Sequence, residues 1–221
     1  MKSSPKAVIK ENLSYTHKAG LLLISLSTLM LEFSLIRVLS VSLWYHFAFM
    51  IISIALLGFG ISGVTLVLSD RLKRVDINLF ATLVSLLFSI SIVLSFYFIN
   101  LIPFDPFSLF ADSNQFIYLP VYYLTVTLPF FLAGLIVGSI FTRFKNDIGK
   151  LYFFDLFGAG ISCFIFIIFM PLVGGSGSII VVSIIAAISA IVFSFGKSKL
   201  SGFGLVGGTI IIIVNILFLT N

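Results

Sequence analysis

The chain has 221 residues, 60% of them hydrophobic and only 10% charged, with a formal net charge of +5. A soluble domain carries roughly 25% charged residues, so this composition excludes a globule with a water-compatible surface and points to a lipid bilayer as the solvent. The single cysteine, Cys163, excludes an internal disulfide and a cysteine metal cluster, and no cofactor, metal or nucleic-acid partner is expected.

Residues 1–19 form a polar, basic tail. The apolar run that follows is too long for a signal-peptide core and has no clear small-x-small cleavage site, so it reads as a retained first helix. A helix needs about 20 apolar residues to cross the hydrocarbon. Seven segments qualify, at about 20–42, 46–68, 79–101, 120–142, 151–172, 178–195 and 203–219. They lack the alternation of a membrane barrel. The expected fold is an all-α membrane protein, one transmembrane domain over 20–219 with about seven spans.

The charges follow these spans. Twelve of the thirteen Lys and Arg residues lie in the tail or in the loops after spans 2, 4 and 6. The exception is Arg37. Basic residues beside helix ends mark the cytoplasmic face, which predicts a cytoplasmic N-terminus and accounts for the positive net charge. The expected location is a multi-pass protein of a prokaryotic cytoplasmic membrane.

The connection after span 3 is the longest on the opposite side. Asp105 can cap a short helix starting at Pro106. Phe104, Phe107 and Phe110 would form its apolar side, with Tyr118, Tyr122 and Tyr123 as an interfacial belt. A lid over a cavity is the functional alternative.

Ionisable residues inside spans are costly and point to sites. Glu32 and Arg37 lie on span 1, about 140° apart around the helix, a poor spacing for pairing. Glu32 is therefore expected to face the bundle interior, where His46 and Asn100 are candidate partners in the outer half. Arg37 pairs across helices or snorkels to the headgroups, and His46 suits an interfacial position beside Trp44 and Tyr45. Asp155 lies about one turn into span 5 on the cytoplasmic side, far in depth from Glu32. Arg143, Arg71 and Lys18 are within reach of it, and an acid in a first turn complements the helix dipole.

Small residues let helices approach closely in lipid, so packing contacts are expected at Gly58, Gly60, Gly63, Gly134, Gly138, Gly158 and Gly160. The Gly58, Gly60, Gly63 spacing matches a nucleotide-binding loop, but it sits inside an apolar helix without the strand that such a loop requires. Pro129 interrupts span 4 and leaves backbone groups for neighbours to satisfy.

Four segments in this order, LEFSLIRVLS, YHFAFMIISIALLGFGISG, LPFFLAGLIVGSIFTRF and GKLYFFDLFGAG, resemble the membrane portion of spermidine-synthase-like multi-pass proteins. The matching positions are Glu32, Arg37, Gly58, Gly60, Gly63, Pro129, Phe130, Phe131, Tyr152, Asp155, Gly158 and Ala159, over roughly residues 20–175. The resemblance implies a soluble, Rossmann-like aminopropyltransferase-like domain that binds decarboxylated S-adenosylmethionine and a polyamine, or a related nucleotide cofactor. No such domain lies within these residues, so it is expected on another segment or partner chain.

Three functions follow. The first is a membrane module, non-catalytic by itself, that anchors or presents substrate to that domain. The second is a transporter, or half-transporter working as a homo-oligomer, for a small cationic solute. The third is an outer-face enzyme using Glu32 and His46 as base and acid; it ranks last because no nucleophile or metal set accompanies them.

Overall fold

The computed structural model describes residues 13–42, 48–69, 72, 75–104, 113–196 and 201–220. All regular structure among them is helical: α1 (Tyr15–Ser42), α2 (Ala48–Leu68), α3 (Ile77–Leu101), α4 (Gln115–Arg143), α5 (Ile148–Ser194) and α6 (Ser201–Thr220), with one 3-10 turn at Lys145–Asp147. The first five are long and apolar enough to cross a membrane, and Gly202–Leu217 is a shorter apolar helix. Large apolar side chains such as Leu56, Val64, Phe164 and Ile167 are exposed on their outer faces. In water such faces would drive aggregation, and together these features suggest a bilayer environment.

Several boundaries differ from the sequence reading. α1 and α4 each begin five residues earlier than expected, at Tyr15 and Gln115: the polar Thr16, His17 and Lys18 continue α1 beyond its apolar run, and Phe116, Ile117, Tyr118 and Leu119 continue the apolar run of α4 ahead of Pro120. α3 begins at Ile77, where the Asp76 carboxylate accepts the N–H groups of Asn78 at 3.0 Å and Leu79 at 3.4 Å and so satisfies two free donors of the first turn. Asp105, Pro106, Phe107 and Phe110 lie outside the described residues. Phe104 and Tyr122 do not line an interface: both are buried, with ring centroids 5.3 Å apart.

The fifth and sixth expected spans form one continuous run, α5, broken at Gly174. That residue has φ 72° and ψ −177°, a region open essentially to glycine alone. The chain reverses there. Gly158 abuts Leu22, Phe33 stacks obliquely on Phe166 with centroids 5.6 Å apart, and Gly175 meets Val38. The first arm of α5 therefore runs parallel to α1. Phe193, at the far end of the second arm, lies against Gly20, so that arm returns antiparallel to α1.

The remaining contacts extend the alternation. Gly58 meets Phe130, Ser62 meets Gly134 and Leu66 meets Gly138, which packs α2 parallel to α4, turn on turn. Ser89 bonds Ser183 while Asn78 abuts Gly196, so α3 opposes the second arm. α6 opposes that arm too, with Gly208 against Ile191 and Asn215 bonded to Ser183 at 3.2 Å.

Pro129 has no N–H to give the Thr125 carbonyl one turn earlier. Ser95 of α3 supplies that hydrogen bond instead, at 2.7 Å. Most other serines and threonines satisfy themselves locally. Ser27, Thr28 and Ser34 donate to carbonyls one turn back, at 2.7, 2.7 and 2.8 Å, which lets hydroxyls sit in an apolar core.

Candidate functional site

α1 and the first arm of α5 approach backbone to backbone at Gly158. A Cβ at Gly158 would collide with the main chain of Leu22, so only glycine allows the two backbones to touch there. Asp155 lies one turn before Gly158, and Ser25 lies one turn after Leu22. Across this contact Ser25 donates a short hydrogen bond to the Asp155 carboxylate. The Ser25 hydroxyl also lies 3.0 Å from the Leu21 carbonyl.

Asp155 is consequently held by a neutral donor. Of the basic residues expected near it, Arg143 donates to the carbonyls of Leu72 and Val75, tying the end of α4 to the α2–α3 connection. Lys18 lies 4.8 Å from the Tyr15 ring centroid, and Arg71 falls outside the described residues. Nor is Asp155 in a first turn. α5 starts at Ile148, which puts the carboxylate about 10 Å along the helix, beyond the reach of the dipole's end effect. Asp147 at the end of the 3-10 turn pairs with Lys150 in the first turn of α5 at 2.7 Å.

Glu32 is on the same face of α1 as Ser25, seven residues or about 10 Å further along. The expected separation in depth from Asp155 persists as these two helical turns, but one cleft spans it. The cleft has a volume of about 200 Å³ and is lined by Ser25, Thr28, Leu29 and Glu32 of α1, Phe59 of α2, Val137 of α4, and Asp155 and Ala159 of α5. It lies near the middle of α1 and α2. The Glu32 carboxylate is half-buried. No hydrogen bond or ion pair joins it to another described residue.

The other expected members of a polar cluster are elsewhere. Arg37 is exposed on α1 and makes no ion pair among the described residues. Asn100 is exposed on α3 and donates to the Phe96 carbonyl of its own helix at 2.7 Å. His46 lies outside the described residues. Sequence reading missed Ser25, Thr28 and Phe59, since a serine one turn from an apolar contact carries no visible signal of its partner.

Among the glycines, Gly58, Gly134, Gly138 and Gly158 meet neighbouring helices, whereas Gly60, Gly63 and Gly160 face open space. Gly60 lies in a shallow apolar groove along the outside of α2, with Leu57, Ile61 and Val64.

Two carboxylates and two hydroxyls in an apolar cleft present acceptors to a cation. The separation of the carboxylates suits an elongated molecule with more than one positive centre better than a compact ion. The described residues contain no cluster of His, Cys, Asp and Glu able to hold a metal. No protein-family model, curated protein or solved structure matches the chain.

Proposed function

We propose that the chain is a multi-pass membrane module that binds a small organic cation, with Glu32 and Asp155 as the two anionic ends of its site. The observation that carries this reading is the shared cleft. An unpartnered carboxylate facing apolar surroundings is costly, and a bound cation would offset that cost. The motif order shared with spermidine-synthase-like proteins makes polyamines the first ligand class to test. In that reading the module presents a polyamine to an aminopropyltransferase-like domain on another segment or chain.

The proposed topology has seven crossings, with α5 crossing twice around Gly174 and α6 as the last. The N-terminus is cytoplasmic. Lys18, Arg143, Lys145 and Lys150 then share the cytoplasmic end, as the positive-inside rule asks. Transport of the same cation is the second reading. What supports it is that the cleft lies near the middle of α1 and α2, and transporters hold their substrates near the bilayer midplane.

The test is titration of spermidine into the purified protein, with a neutral diol of similar length as control. Binding that Glu32→Gln and Asp155→Asn each weaken by tenfold or more supports the site. Equal affinity in parent and both variants counts against it. Proteoliposomes then separate the two readings, because a presenting module binds without moving label across the bilayer.

A further inference from the structure

A second polar feature lies away from the acidic cleft, at the start of α1. Ser14 caps that helix. Its carbonyl accepts the Lys18 N–H at 3.4 Å, the first bond of the helix, and its hydroxyl accepts the Thr16 N–H at 3.4 Å. His17 reaches back in return, and its Nδ1 accepts the Ser14 N–H at 3.2 Å. The arrangement is a variant of the capping box, a reciprocal pair of bonds between a cap Ser or Thr and the residue three further on. In a capping box that third residue is Glu or Gln. Here the acceptor that closes the box is an imidazole.

The same side chain ties α1 to two other helices. His17 is 3% exposed, its ring centroid lies 4.8 Å from that of Phe144 at the end of α4, and it interacts with the Asn78 side chain of α3. Because Nδ1 is an acceptor, the proton of the neutral ring sits on Nε2. The charged groups on the elements that meet His17 are engaged elsewhere. On α1, Lys18 lies 4.8 Å from the Tyr15 ring centroid. At the start of α3, the Asp76 carboxylate accepts the N–H groups of Asn78 and Leu79. At the end of α4, Arg143 donates to the carbonyls of Leu72 and Val75, Lys145 follows Phe144, and Asp147 pairs with Lys150. No carboxylate among the described residues forms an ion pair with His17.

We propose that His17 is a pH-sensitive cap, whose protonation opens the capping box and frees the first turn of α1 from α3 and α4. The second proton of an imidazolium goes to Nδ1. There it faces the Ser14 N–H, donor against donor, and the bond that closes the box is lost. A positive charge in the first turn of a helix also has the unfavourable sign for the helix dipole. Buried charge without a counter-ion is costly, and the ring regains water by leaving Phe144, taking the turn with it. The cap therefore holds while the ring is neutral and is lost as pH falls. Glu or Gln at this position would close the box without responding to pH in the same way, so the imidazole makes it a switch. The Leu22–Gly158 contact and the Ser25–Asp155 bond lie within about two turns along α1. The switch does not depend on whether the cleft binds a cation.

Amide hydrogen exchange of the purified full chain at about pH 8 and about pH 5 brackets the charge change of an imidazole. Rates are normalised at each pH to those of unprotected amides. Protection over residues 14–20 is expected to fall about fivefold on acidification, the usual worth of a helix cap, while protection in the middle of α3, over residues 84–92, stays constant. In His17→Gln the acceptor takes up no proton, and protection over 14–20 should not change with pH. This variant separates a switch from a merely structural histidine, because it keeps a capping acceptor. No fall in the parent, or an equal fall in parent and His17→Gln, overturns the proposal. If His17→Gln does not fold, the parent decides alone: a loss confined to 14–20 supports the switch, and a loss shared with 84–92 overturns it.

Discussion

Ser25 on α1 donates its hydroxyl hydrogen to the carboxylate of Asp155 on α5, across 130 residues of sequence. Neither residue has a charged partner among the described residues. The pair is therefore a charge-assisted hydrogen bond in a largely apolar setting, a stronger class than a bond between neutral groups.

Ser25→Ala should destabilise the protein by about 1–3 kcal/mol, because it leaves a carboxylate to be desolvated without its donor. Asp155→Asn should cost less, since an amide needs less solvation than a carboxylate. A double-mutant cycle on thermal unfolding would measure the coupling directly. Additive effects within about 0.5 kcal/mol would show that the two side chains do not interact.

The close approach at Gly158 makes a contrast with Gly160, two residues on. Gly158→Ala must push the Leu22 main chain away and should cost about 1–3 kcal/mol. Gly160→Ala meets open space and should be neutral or stabilising by up to about 1 kcal/mol through helix propensity. Melting temperatures of the two variants side by side check this, and equal effects would contradict the packing.

Gly174 reverses that logic. An added Cβ there meets nothing within 4 Å, yet φ is 72°. Gly174→Ala should therefore cost about 1–3 kcal/mol through backbone strain alone. A variant as stable as the parent would mean that the break between the arms does not need this conformation.

Ser95→Ala removes the donor that replaces the missing N–H of Pro129. The Thr125 carbonyl would then sit unpartnered between α3 and α4, at a cost of about 1–3 kcal/mol. Ser95→Ala combined with Pro129→Ala should recover much of that loss, since alanine restores the helix's own hydrogen bond. Failure of the double variant to recover would break the link.

Topology is accessible to thiol labelling. In a Cys163→Ser background, cysteine at Lys145 should react with an impermeant reagent only from the cytoplasmic side, and cysteine at Ser113 only from the opposite side. Labelling of both from one face would refute the proposed orientation.

The helical class and most helix positions could be read from apolar run lengths, which depend only on bilayer thickness and helix rise. The ends could not be read as well. α1 extends to Tyr15 through polar residues, α4 extends to Gln115 across Pro120, and the Asp76 cap fixes the start of α3 at Ile77, two residues before the expected one. Pro129 announced an orphaned carbonyl, but nothing in the sequence named Ser95 as its donor. Depth estimates counted from presumed span ends set Glu32 and Asp155 apart. Their common cleft depends on how α1 and α5 pack, through Gly158 and Leu22, which periodicity does not encode.

The reversal at Gly174 also bears on synthesis. α1 is made before its principal neighbours, the two arms of α5, which follow more than a hundred residues later. Until then Ser25, Ser27 and Thr28 must face lipid or a chaperoning helix, sheltered only by their own backbone carbonyls. The two arms of α5, joined without a loop, can insert as a single hairpin and grip α1 from opposite directions. Assembly of the core is therefore a late event in translation, and a ribosome stalled before residue 148 would release a chain whose first helix has not yet met its principal neighbours.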